Sequence, residues 1–150
     1  MSYTGSKYIE DDYLSIAMGH VRNTSYIDKF GYNSAVGNSF ETVWDGNNVY
    51  TYIAAAGTAV AASSSTDDNG GTVEVSGLDA NFNEISETLT IGGSAGTKQF
   101  YRVSRARMVS ANTGDTNVGN VTITVDSKSA AIITAGYGQT LMALYTVPAK

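Results

Sequence analysis

The chain has 150 residues, of which 42% are hydrophobic and 15% charged, and its formal net charge is −5. It has no cysteine, which excludes disulfides, cysteine-based zinc sites and thiol catalysis. Gly, Ser, Thr and Asn make up 60 of the residues and proline occurs once, a composition unlike a coiled coil or a collagen-like chain. One globular domain of this size buries enough apolar surface to fold without disulfides.

The first 27 residues are predicted to form an N-terminal arm. Apolar positions within residues 6–19 fit one to three helical turns and are Ile9, Tyr13, Leu14, Ile16 and Ala17. A flexible arm that only a neighbour orders is the alternative. Residues 1–19 have no basic region before an apolar stretch, so we expect no Sec-type signal peptide. Apolar runs stay well short of the ~20 residues that span a bilayer, so no membrane association is expected.

Residues 28–150 are predicted to form one β-sandwich domain. Residues 23–38 read as extended chain or loop, with Phe30 and Tyr32 as anchoring aromatics. Beyond them, alternating or β-branched patterns predict strands at residues 40–44, 49–54, 58–63, 72–78, 84–91, 99–110, 120–125, 130–134 and 140–147. The fold class is therefore all-β, an antiparallel β-sandwich (jelly-roll-like or Ig-like) with a short N-terminal arm or helix, and a barrel is the alternative.

Charge is unevenly distributed along the chain. Residues 30–97 contain eight acidic residues and no Lys or Arg, whereas residues 98–150 contain six basic and two acidic residues. Either the two signs interleave once the chain folds, or unlike surfaces of separate copies meet in an assembly. The basic cluster lies on one predicted strand, where alternation divides Arg102 from Arg105 and Arg107 across the two faces. We therefore expect no nucleic-acid binding.

Two acidic stretches are candidate cation sites. Asp79-x-Asn81-x-Asn83 resembles the start of a calcium loop, but its sixth and twelfth positions lack the required Gly and Glu. We interpret it as a turn whose Asx side chains accept local backbone hydrogen bonds. Residues 63–71 are predicted to form an exposed loop, in which Asp67, Asp68 and Asn69 could bind a cation weakly. Glu87 interrupts the apolar face of its strand, which predicts a sheet edge or a polar interface there.

Catalysis has few candidate residues. His20 is the only histidine and would have to be recruited from the predicted N-terminal arm, so a Ser–His–acid triad is not expected. Glycosidase chemistry needs two carboxylates held across a cleft, whereas Asp67 and Asp68 lie in a loop and Glu84 and Glu87 on opposite strand faces. We therefore predict no enzyme activity, no catalytic residue, no cofactor and no metal site.

Seven stretches of the chain occur in an order found in one protein family. They are residues 30–37, 40–46, 65–68, 77–88, 100–103, 117–123 and 145–149. As an ordered set they resemble a family of virion structural proteins common in tailed phages of marine bacteria, across residues 28–149. Such proteins usually continue past Val147-Pro148-Ala149 into further β-rich sequence, so we expect either a shorter member or strands completed by another copy.

The resemblance implies a structural component of a bacteriophage virion, above all a capsid decoration (cement) protein that stabilises the particle through inter-subunit contacts. A tail, baseplate or fibre-attachment protein is one alternative. An adhesive or carbohydrate-binding β-module, including an extracellular filament subunit, is another. The expected partners are further copies of the chain, for example in a trimer, and the major capsid protein or other virion proteins. Residues 2–23 are expected to dock on a neighbour at the capsid surface or tail.

Overall fold

The computed structural model describes residues 12–18, 20, 21, 27 and 29–149. Within these ranges the chain forms one short α-helix, one 3-10 helix and eight strands. They are α1 Asp12–Ala17, β1 Gly57–Thr58, β2 Val60–Ser63, the 3-10 helix Thr66–Asp68, β3 Thr72–Leu78, β4 Glu84–Thr90, β5 Gln99–Phe100, β6 Arg102–Ser110, β7 Val121–Val125 and β8 Lys128–Ile133. The all-β prediction is confirmed. Part of the predicted N-terminal helix is present as α1, and the rest of that prediction falls outside the described residues.

The strands of the described ranges form three antiparallel sheets in a sandwich-like arrangement. Their orders are β4-β3-β6, β2-β7-β8 and the short pair β1-β5. Alternation gives β3 and β7 one buried face each, with Val73 and Val75 on the first and Val121, Ile123 and Val125 on the second. These side chains belong to a single buried cluster that draws on both larger sheets. The core therefore lies between the sheets, as in a β-sandwich.

Strand β6 contains two irregularities in its pairing with β3. Ser76 is opposite Arg105 while Gly77 is opposite Val103, so Ser104 is an extra, bulged residue. The bulge shifts the alternation of β6 by one residue. Arg102, Arg105 and Arg107 consequently lie opposite Leu78, Ser76 and Glu74, which share one face of β3. The prediction that these arginines divide between both faces is therefore wrong.

Strand β4 is one of the two outer strands of its sheet, and the interruption at Glu87 predicted such an edge. The Glu87 carboxylate accepts hydrogen bonds from the Thr97 backbone N–H at 2.7 Å, the Thr97 hydroxyl at 2.9 Å and the Lys98 backbone N–H at 3.1 Å. Burial tends to raise the pKa of Glu87, but these bonds outweigh it and hold the pKa below its ordinary value. An acidic side chain thus attaches the loop after β4 to its own strand.

The predicted exposed loop at residues 63–71 is instead fixed by a buried carboxylate. Asp68 is 1% exposed and accepts hydrogen bonds from the Ser63 hydroxyl and from the backbone N–H groups of Val118, at 2.7 Å, and Gly119, at 2.9 Å. Burial tends to raise the pKa of Asp68, but the three bonds outweigh it and lower the pKa. Both oxygens of Asp68 therefore bind protein donors and join two loops distant in sequence.

The turn between β3 and β4 has the predicted Asx chemistry. Asp79 accepts hydrogen bonds from the backbone N–H groups of Asn81 and Asn83 at 2.8 and 2.9 Å, and from the Asn83 side-chain amide at 3.0 Å. These bonds lower the pKa of Asp79. The interpretation of this stretch as a local turn is confirmed.

Candidate functional site

Residues 29–53, here called the strap, lie against residues 134–149, the C-terminal segment. Strands were predicted in both parts, at residues 40–44, 49–54 and 140–147, and the structure has none there. An isolated pairing of Arg107 with Gln139 lies just before residue 140. Scattered hydrogen bonds join the two parts instead, from Tyr32 N–H to the Leu141 carbonyl and from Ala143 N–H to the Val43 carbonyl, both at 3.0 Å.

Asp45 is the main polar connection between the strap and the rest of the molecule. One carboxylate oxygen accepts the Thr134 hydroxyl at 3.0 Å, and the other accepts the Leu141 backbone N–H at 2.7 Å. At Gly31 the two parts approach so closely that a Cβ would lie 2.6 Å from the Ala143 nitrogen. Glycine is therefore required at this crossing.

Buried aromatic side chains attach the strap to the core. Trp44 and Tyr50 pack edge to face with ring centroids 5.0 Å apart, and the Tyr50 hydroxyl donates to the Ala130 carbonyl at 3.0 Å. Burial raises the pKa of Tyr50 to about 12. Ile53 is also buried. Trp44, Tyr50 and Ile53 are therefore core residues, although no strand contains them.

A loop of the strap, residues 33–41, is closed by the Glu41 side chain. Its carboxylate accepts the Asn33 side-chain amide at 2.8 Å and the Gly37 backbone N–H at 3.2 Å. Asn33 in turn accepts the Ala35 N–H at 2.9 Å. Side-chain bonds therefore give this loop a defined shape, although the described part of the loop has no strand pairing.

The strap exposes several large apolar side chains among polar ones. Phe40 is 99% exposed, Val36 77% and Phe30 70%, and further exposed apolar side chains of the strap are Tyr32, Val43, Val49 and Tyr52. Phe30 and Tyr32 were predicted to be anchoring aromatics, and that prediction is wrong because more than half of each side chain is exposed. Exposed large apolar side chains concentrated in one segment make that segment a candidate contact surface.

Most of the charged side chains, by contrast, have partners within the molecule. Arg107 and Glu74 form an ion pair at 2.7 Å, and Lys98 donates to the Ser86 carbonyl at 2.7 Å. Arg102 donates to the Ile53 carbonyl at 3.1 Å and lies over aromatic rings. Acidic side chains of residues 30–97 and basic side chains of residues 98–150 therefore lie side by side where β3 pairs with β6.

The structure does not bring the candidate catalytic residues together. His20 is exposed, Asp67 is exposed while Asp68 is buried, and Glu84 and Glu87 project from opposite faces of β4. Across the described ranges, no group of three His, Asp or Glu side chains is placed to hold a metal ion. No helix in that part of the chain is long and apolar enough to span a membrane.

The predicted docking arm, residues 2–23, is described only in part. Leu14, Met18 and Val21 present exposed apolar side chains there. No protein-family model, no curated protein and no solved structure matches the chain.

Proposed function

We propose that this chain is a non-enzymatic structural component of a bacteriophage virion, a capsid decoration protein, and that the strap is the surface that contacts the capsid. The observation that carries the proposal is the set of large apolar side chains that the strap exposes, above all Phe40. Two of the stretches that carry the resemblance to virion proteins, residues 30–37 and 40–46, lie within the strap.

The strap has the physical properties of a preformed contact surface. Burying a fully exposed Phe side chain in a partner stabilises a complex by roughly 1.5–3 kcal/mol. Because the Glu41 hydrogen bonds already order the loop, little conformational entropy is lost on binding. Modest affinity per copy is sufficient for a decoration protein, since many copies act together on one particle.

The direct test is binding of the purified chain to capsids that lack it. We expect Phe40→Ser to weaken binding about tenfold or more, corresponding to about 1.4 kcal/mol. Val109→Ser is the matched control, because Val109 is an exposed apolar side chain on β6, outside the strap. Equal binding by the Phe40→Ser variant and the native chain would contradict the role of the strap.

The location of the chain on native virions separates decoration from the tail alternatives. Imaging of particles labelled for this chain should show many copies over the capsid. A few copies restricted to the tail would instead favour a baseplate or fibre-attachment role. Particles that carry no copy of the chain would contradict the virion proposal.

Carbohydrate binding is a second candidate function, supported by one groove. It has a volume of about 320 Å³ and lies between the half-exposed rings of Tyr32 and Tyr137, with Asn47 and Asn120 among its polar lining residues. Aromatic faces beside amide groups suit a neutral sugar. On a glycan array the chain should then bind at least one sugar, and Tyr137→Ala should abolish that binding. An array on which no glycan is bound would contradict this function.

A further inference from the structure

A second cleft lies where the strap passes strand β6. It has a volume of about 260 Å³, and its lining includes Lys29 and Phe30 of the strap, Arg105 of β6 and Gln139 of the C-terminal segment. It is large enough for a small ion or for one side chain of a partner. Its distinctive feature is its charge.

Both charged side chains in the lining of this cleft are cations. The partly buried Lys29 ammonium donates to the Ser104 carbonyl and, at 2.8 Å, to the Leu144 carbonyl. An ammonium has three N–H donors, so these bonds leave one. Arg105 donates from Nη2 to the Gln139 side-chain oxygen at 2.7 Å, which leaves most of its guanidinium donors for another acceptor.

The two cations are close enough to repel each other. Burial lowers the pKa of Lys29, and the charge of Arg105 lowers it further. The ion pair found among the described residues joins Arg107 to Glu74, so neither Lys29 nor Arg105 has a carboxylate partner there. The repulsion between two like charges in one cleft destabilises the protein, and an anion bound between them would offset that repulsion.

We propose that this cleft binds an oxyanion, a carboxylate or a phosphate group, between Lys29 and Arg105. A guanidinium binds two oxygens of such a group in a planar fork, and an ammonium adds a third, charge-assisted hydrogen bond. The proposal is independent of capsid binding, because the site belongs to the isolated chain.

The experiment is an NMR titration of the purified chain with sodium phosphate and, separately, with sodium acetate, each at constant ionic strength balanced by chloride. We expect saturable shifts of the backbone amides of Ser104, Arg105 and Gln139. The stronger of the two responses identifies the cleft as a phosphate or a carboxylate site. Arg105→Met should weaken binding at least tenfold, and so should Lys29→Met.

The matched control is Arg107→Met. Arg107 lies on the same strand and face as Arg105 but is already neutralised by Glu74, so its loss should leave the affinity unchanged. Lys29→Met removes the hydrogen bonds to the Ser104 and Leu144 carbonyls and could unfold the chain. In that case the Arg105→Met variant decides the result, because Arg105 is exposed. Shifts that never saturate with either anion, or an equal loss in the Arg107→Met and Arg105→Met variants, would overturn the proposal.

Discussion

The two larger sheets and the strap are held in place by different forces. In the sheets, backbone ladders and buried Val and Ile side chains act over continuous stretches, as in β3 and β7. In the strap, single side chains such as Asp45 and Glu41 fix irregular backbone, and most of the large apolar side chains outside the buried Trp44, Tyr50 and Ile53 face outward. The sheets use their apolar side chains for their own stability, whereas the strap buries three of its large apolar side chains and leaves the others exposed.

This difference predicts that core changes act on the whole molecule and strap changes act locally. The largest effect is expected for Phe100→Ala, since Phe100 is fully buried in the central cluster. A cavity of this kind costs about 3–5 kcal/mol. Urea denaturation should show the loss as one cooperative transition at lower denaturant. A loss below about 1 kcal/mol would show that the two sheets do not share one core.

Asp68→Ala should cost about 2–3 kcal/mol, because it leaves the N–H groups of Val118 and Gly119 without their charged acceptor. Thermal denaturation measures the change. Asp67→Ala is the matched control, since the neighbouring Asp67 is exposed and its loss should alter stability by less than about 0.5 kcal/mol. Equal effects of the two variants would contradict the assigned role of Asp68.

Asp45→Ala should loosen the contact between the strap and the C-terminal segment while leaving the sheets folded. It removes the acceptors of the Leu141 N–H and the Thr134 hydroxyl, a local cost of about 1–2 kcal/mol. Native-state hydrogen exchange should accelerate at Leu141 and leave β3 unchanged. Acceleration throughout β3 would mean that the strap and the sheets unfold together.

Acid should weaken the loops held by carboxylates. The folded-state pKa values of Asp68, Asp79 and Glu87 lie below their ordinary values of about 4. Their stabilisation is therefore complete above about pH 5 and is lost as the pH falls through the lowered values. Denaturation midpoints from pH 7 to pH 2 should show this loss, and the Asp68→Ala variant should show less of it. An identical pH profile for that variant would contradict the lowered pKa of Asp68.

Phe40→Ser should leave stability within about 0.5 kcal/mol of the native value, because Phe40 makes its contacts with solvent. The same denaturation experiment tests this. Clear destabilisation would show that Phe40 packs within the chain and is not free for a partner.

The sheets were predictable because alternation is a local signal. Residues 72–78 have the predicted strand bounds, and β4 and β7 differ from prediction by a single residue. The bulge at Ser104 has no such signal, since it depends on how β6 pairs with β3. It moved Arg102 to the face of Arg105 and Arg107, which local alternation could not predict.

The strands predicted within the strap are absent because its contacts come from residues distant in sequence. Residues 40–44 alternate like a strand, which would place Phe40 and Trp44 on one face, but Trp44 is buried and Phe40 fully exposed. The hydrogen bonds that the Asp45 carboxylate accepts come from residues 89 and 96 positions away, beyond the reach of a local pattern. The buried role of Asp68 was missed for the same reason, since its donors lie 50 and 51 positions away.

The most direct measurement of the proposed role is a cryo-electron microscopy map of assembled particles that contain this chain. The map should place many copies on the capsid surface, with Phe30, Val36 and Phe40 of each strap buried against the neighbouring protein. Copies whose straps face solvent would contradict the strap as the contact surface, and particles without this chain would contradict the proposed function itself.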